Sequence, residues 1–127
     1  MTTLGARLTH VAPGEVDLTF DARPDLAQQN GFVHAGALAA VADSANGYAA
    51  FTLAPAGTDV LAVEFKINLL TPARAPRFVA RGRVLRAGRT LTVCRADVFG
   101  LAGGGDASAE TLVATMQSTI IVRPLRD

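Results

Sequence analysis

Apolar and polar residues alternate in two stretches of the chain. Val16, Leu18 and Phe20 alternate with Glu15, Asp17 and Thr19, and Leu61, Val63, Phe65, Ile67 and Leu69 alternate with Ala62, Glu64, Lys66 and Asn68. A period of two puts each set on its own face of a strand. Residues 15–20 are therefore expected to pair through a Pro13-Gly14 turn with a short strand over 4–9. Residues 77–86 and 89–99 read as a hairpin about Ala87-Gly88, and 110–123, rich in Thr, Val and Ile, as the last strand. Gly103-Gly104-Gly105 is the turn before it.

Between the second and third strands the period changes. Residues 23–33 contain Pro24, Gln28, Gln29, Asn30 and Gly31 without a period and read as a loop ending at His34. From Ala35 to about Leu53 the chain is Ala-rich and free of Pro, and Pro55 with Gly57 stops it, which predicts one long helix. At about 100° per residue, Gly36, Ala39, Ala40, Asn46, Gly47 and Ala50 share the face of Asp43. Leu38, Val41 and Tyr48 lie opposite and are expected to pack on a sheet. A smooth face bearing one carboxylate suits close approach of a ligand or a second subunit. The whole order predicts an α+β fold, an antiparallel sheet wrapped around one long central helix.

With 127 residues, 50% of them hydrophobic and 18% charged, the chain fits a single domain over residues 1–127. The lone Cys94 makes neither an internal bridge nor a zinc cluster, so no metal is expected. The first twenty residues lack the basic and apolar regions of an export signal, so the cytoplasm is the expected compartment. Residues 35–55 are interrupted by Asp43, Ser44 and Asn46, which argues against a membrane span. The net charge of +1 hides an asymmetry: residues 1–65 carry two Arg against seven acids, whereas 66–127 carry ten basic residues against four. Eight of the twelve basic residues lie between Lys66 and Arg95. They form either a phosphate-binding patch or a solvated sheet face. One Tyr and no Trp offer few stacking platforms, so nucleic acid is not an expected partner.

The polar residues without an evident structural role are Gln28, Asn30, His34 and Asp43. A mid-helix carboxylate is costly unless hydrogen-bonded or wet, and partial burial raises its pKa toward that of a useful base. Asp43 is the leading catalytic candidate; the alternative is a solvated Asp, against which its all-small neighbours argue. Free N–H groups at the helix start, near Ala35 and Gly36, can hold an oxyanion. Asp43 lies about 12 Å along the axis from Ala35, too far for one carbonyl to meet both. A joint site needs Asp43 from one chain and a helix start from another, hence a homodimer. A Ser44-His34-Asp43 triad has poor geometry, because Ser44 projects about 100° from Asp43. Cys94 reads as a packing residue and His10 as a surface residue. Gly103 to Gly105 make no phosphate loop, since no helix follows.

The segment NGFVHAGALAAVADSANGYAA resembles the signature of hotdog-fold thioesterases, particularly the PaaI-like group linked to phenylacetate degradation. In that family a loop leads to His-Gly-Gly at the helix start, with an acidic residue nine positions after the His, as Asp43 follows His34 here. The similarity extends through VEFKINLLTPAR, residues 63–74, and RVLRAGRTLTV, residues 83–93. The resemblance implies hydrolysis of an acyl-CoA thioester, with Asp43 as general base or nucleophile. It places Gln28 near the thioester carbonyl, His34 in support of the loop and helix start, and the Ala35 backbone N–H in the oxyanion hole. Asn30, Gly36, Asn46 and Gly47 are the expected substrate-binding positions. Ala35 stands where the family commonly has Gly, and Ala62 where some relatives have a Ser that helps position water, a role that Asn46 would then take. The resemblance implies no cofactor apart from the CoA of the substrate, whose phosphates would meet some of Arg74, Arg77, Arg81, Arg83, Arg86 and Arg89. It also implies homodimers that pair again as homotetramers. The alternative is a non-catalytic acyl-CoA binding module on the same fold. A hydratase is not expected, because the spacing of Asp25 to His34 is wrong for it.

Overall fold

The computed structural model describes residues 2–103 and 109–125. Its strands are β1 (Arg7–Ala12), β2 (Glu15–Asp21), β3 (Thr58–Leu69), β4 (Arg77–Ala87), β5 (Leu91–Leu101) and β6 (Glu110–Pro124), with the helix α1 (Ala35–Leu53) between β2 and β3. They form one sheet in the order β1-β2-β4-β5-β6-β3, each pair antiparallel. β1 and β3 are thus its edges. The helix lies across one face, which is the predicted α+β arrangement. No helix among the described residues is long and apolar enough to cross a membrane.

The first strand lies three residues later than expected. Ala12 pairs with Glu15 across Pro13 and Gly14, and Gly14 takes a φ of 76°. So short a turn makes the strand run right up to it, and residues 2–5 fold into a separate turn closed by the Gly5 N–H on the Thr2 carbonyl at 3.0 Å. Gly104 and Gly105 of the expected glycine turn lie outside the described residues.

The helix ends fall where Ala35 and Pro55 place them, but its sheet face is not the bulky one. Ala37, Leu38, Val41, Ala42, Ala45, Asn46, Ala49 and Ala50 are buried, whereas Tyr48, expected against the sheet, is 46% exposed. The reason is closeness of approach. A Cβ on Gly82 of β4 would lie 2.5 Å from the Ala45 carbonyl oxygen, so backbones nearly touch and only alanine fits the centre of the contact. Tyr48 is turned to the flank.

The alternation in β3 is also interrupted. A bulge between Ala62 and Glu64 shifts the register to β6, and one extra residue moves every later side chain to the other face. Ala62 shares its face with buried Ile120; past the bulge Phe65 and Ile67 share theirs with buried Ser118 and Met116. Leu61, Val63 and Phe65 remain 48%, 52% and 46% exposed on this open edge.

Much of the basic stretch lies in a charge ladder across the strands. Asp17, Arg81, Asp97 and Thr115 are consecutive partners from β2 to β6. Arg83 binds Asp17 at 2.7 Å, Arg81 binds Glu110 at 2.6 Å, Arg77 binds Asp21 at 2.8 Å and Arg95 binds Asp97 at 3.1 Å. These four arginines fit the solvated-face reading. Arg74 stands apart, its guanidinium 4.6 Å from the centre of the Phe32 ring, a cation–π contact.

Candidate active site

The loop before α1 is held by its own backbone. Val33 N–H donates to the Ala73 carbonyl at 3.0 Å, His34 N–H to that of Leu26 at 2.8 Å and Gln28 N–H to that of Phe32 at 2.7 Å. His34 is the N-cap, with φ −64° and ψ 139°, and its Nδ1 accepts the Gly36 N–H at 2.8 Å. An accepting Nδ1 leaves Nε2 to carry the proton of a neutral ring. A Cβ on Gly36 would lie 3.0 Å from Nδ1, so glycine at 36 makes room for the cap.

This cap sorts the donors of the first turn. The Gly36 N–H is taken by His34 Nδ1, and the Ala37 and Leu38 N–H groups both donate to the His34 carbonyl. Ala35 N–H alone has no acceptor among the described residues, and Ala35 lines a hollow of about 770 Å³. Gln28, Asn30, His34 and Ala35 all line that hollow, facing Leu69, Leu70 and Pro72 at the end of β3. Gln28 Oε1 accepts the Asn30 backbone N–H. Its Nε2 is left as a donor.

Asp43 lies in a different place. With Gly47 it lines a groove of about 370 Å³ between α1 and β3, also formed by Tyr48, Phe51, Asp59 and Ala62. Asp43 Oδ1 is buried without a hydrogen-bond partner, and burial raises the carboxyl above its ordinary pKa. Such a group is a stronger base than a solvated Asp. No expected site residue lines both cavities.

Two expected positions fall elsewhere. Gly36 lines neither cavity. Asn46, placed by the sequence on the substrate face, is fully buried against the sheet, where Nδ2 donates to Ser118 Oγ at 2.9 Å and Oδ1 has no partner. It sits at the border of the helix's two faces, and the close approach at Gly82 turns it inward. Ser44 adjoins Asp43 in the groove while His34 lies in the hollow, so the three form no triad. Cys94 donates weakly to the Asn46 carbonyl at 3.6 Å, and burial pushes its thiol up to about 11.

A family profile described as Thioesterase superfamily matches residues 30–105, more than half of the chain, including His34, Asp43 and β3 to β5. The chain belongs to the thioesterase superfamily. Among solved structures it is similar to a thioesterase family protein from Silicibacter pomeroyi, 44% identical with a TM-score of 0.93 over 98% of this chain and 89% of that one. It is also similar to a mutant of the phenylacetic acid degradation protein PaaI from Thermus thermophilus, 29% identical with a TM-score of 0.81 over 95% and 96%. A thioesterase from Haemophilus influenzae, 21% identical, shares the fold with a TM-score of 0.87 over 99% and 83%. No curated protein matches the chain. The hotdog fold and a PaaI-like thioesterase kinship, expected from residues 30–50, are both met. This superfamily member is thus of thioester-hydrolase type.

The sequence reading of the site missed Tyr48, Phe51, Asp59 and the 69–72 segment. Phe51 carried a usable signal, since Asp43, Gly47 and Phe51 are spaced i, i+4, i+8 along one side of a helix. Asp59 carried none, because only the reversal through residues 54–57 brings it beside the helix.

Proposed function

We propose that this chain is an acyl-CoA thioesterase whose site is completed by a second copy. The carrying observation is the separation of its halves: an unpartnered donor at Ala35 and an unpartnered, basic carboxylate at Asp43 occupy different cavities of one chain. A reacting carbonyl must lie about 3 Å from both its oxyanion donor and the attacking group. Antiparallel pairing of two β3 edges centred near Phe65 would set Leu69 and Leu70 of one chain opposite Leu61 and Val60 of the other. Leu69 and Leu70 line the hollow and Val60 the groove. That pairing joins them, and it covers the exposed apolar edge of β3.

In the joined site the Ala35 N–H and Gln28 Nε2 polarise the thioester oxygen, while Asp43 of the other chain acts at carbonyl carbon. Water adds, the C–S bond breaks, and acid and CoA thiol leave. Asp43 either takes the proton of the attacking water or attacks directly and is freed by water. Solvent ¹⁸O in a single turnover reports the route: attack of water on the thioester labels the product acid, whereas label found in the Asp43 carboxylate requires the nucleophilic route, with water opening the anhydride at the Asp43 carbonyl. Arg74, stacked on Phe32, which lines the hollow, is the cation we assign to the CoA phosphates.

Complementation tests the two-chain site. Asp43→Asn and Ala35→Pro are each expected to be inactive, and mixing them under subunit exchange is expected to restore about a quarter of wild-type thiol release, since half the dimers then carry one intact site of two. No recovery from folded, exchanging dimers refutes a shared site. Binding of acyl-CoA without turnover by the wild type would mark a binding module instead. Light scattering decides whether the dimers pair again into tetramers.

A further inference from the structure

The groove beside Asp43 has a second carboxylate at its far end. α1 and β3 run antiparallel along it: Asn46 reaches Ser118, the partner of Phe65, while Ala50 packs with Ile120 and Val60 nearer the start of β3. Asp43 therefore stands at one end and Asp59, beside Phe51, at the other, with Ala62 between them. From Asp43 to Phe51 is about 12 Å of helix, and from Ala62 to Asp59 about 10 Å of strand. The walls between are aromatic or open. Tyr48 and Phe51 are 46% and 52% exposed, and a Cβ on Gly47 would meet nothing within 4 Å.

Asp59 is held in place. Its Oδ1 accepts the Val60 N–H at 2.8 Å, which sets the carboxylate at the open edge of β3. Arg123 is its cross-strand neighbour, yet Asp59 is in no ion pair among the described residues. Asp59 lines the groove.

We propose that Asp59 reads the distal end of the acyl group, favouring one that ends in a hydrogen-bond donor, a hydroxyl or an ammonium, and rejecting one that ends in a carboxylate. This rests on the thioesterase reading above. With the thioester carbonyl about 3 Å from Asp43, a six-carbon chain lying along the aromatic wall brings its last atom to Asp59. A donor there makes a charge-assisted hydrogen bond, whereas an anion meets a fixed like charge in a partly desolvated groove.

The test compares hexanoyl-CoA, 6-hydroxyhexanoyl-CoA and adipoyl-CoA, alike in length and different at the end. In the wild type kcat/KM is expected to fall in the order hydroxyl, methyl, carboxylate, with adipoyl-CoA at least about tenfold below hexanoyl-CoA. Asp59→Asn keeps an acceptor for the Val60 N–H, so the fold is retained. It is expected to raise the adipoyl-to-hexanoyl ratio of kcat/KM about tenfold. An unchanged adipoyl-to-hexanoyl ratio in folded Asp59→Asn, with hexanoyl-CoA still hydrolysed, overturns the role of Asp59 alone. Hydrolysis of none of the three by the wild type removes the thioesterase reading and this assignment with it.

Discussion

Burial works against the ionised form of Asp43, and this single effect has two consequences of opposite sign. A raised folded pKa means that the folded chain holds the proton more tightly than the unfolded chain. The stability penalty therefore sets in as pH rises from the ordinary carboxylate range through the raised pKa, and is complete above it. Asp43→Asn is expected to raise Tm by a few degrees at neutral pH, in keeping with about 0.5–2 kcal/mol for relief of a strained functional group. The gain should vanish in acid below the ordinary Asp range. The same variant is expected to lose about 10²–10⁴-fold in kcat/KM, and the wild-type rate to fall as pH drops through the raised pKa. A Tm gain that persists in acid would place the cause elsewhere. Ala35→Pro is a clean counterpart at the other half-site. His34 already has the extended backbone that a following proline requires, and Pro is well tolerated at the first helical position. It should remove the free N–H alone, costing about 10²–10³-fold in kcat with unchanged circular dichroism. Cys94, with its thiol pushed up to about 11 and no exposed surface, should resist alkylation until the chain is unfolded.

The helix owes its position to alanine and glycine rather than to bulk. Ala42, Ala45 and Ala49 face the sheet without exposure, and Gly82 meets the Ala45 carbonyl where a Cβ would intrude to 2.5 Å. Gly82→Ala is expected to lower stability by about 1–3 kcal/mol in urea unfolding. It should also disturb turnover, because the contact, at Ala45, lies two residues from Asp43. A neutral result would mean that the helix can ride outward at no cost. The helix bounds were legible because Pro55 and a Pro-free alanine run are local signals. The buried face was misread at Tyr48 and Asn46, since helical spacing ranks faces by bulk while the sheet selects by distance. The β3 alternation was likewise read correctly as a strand, but the bulge at Val63 is a property of its pairing with β6.

At the scale of the whole molecule, β3 is an edge strand with Leu61, Val63 and Phe65 about half exposed. If two such edges pair about Phe65, Phe65→Lys sets like charges against each other at the symmetry axis. The expected outcome is a monomer by sedimentation, with near-native circular dichroism and no thiol release. An active monomer would contradict the shared site.

The sequence by itself determined the order of elements, the ends of the helix and the family, because each rests on residues close along the chain. Its helix rise alone also separated Ala35 from Asp43 by more than one reacting group can span. Only the tertiary structure decided which first-turn donor is left free, that Asn46 turns inward onto Ser118, and that Asp59 ends the groove of Asp43. Those depend on a ring meeting a backbone amide, on the depth of a sheet contact and on a chain reversal, and no local pattern encodes the distances involved.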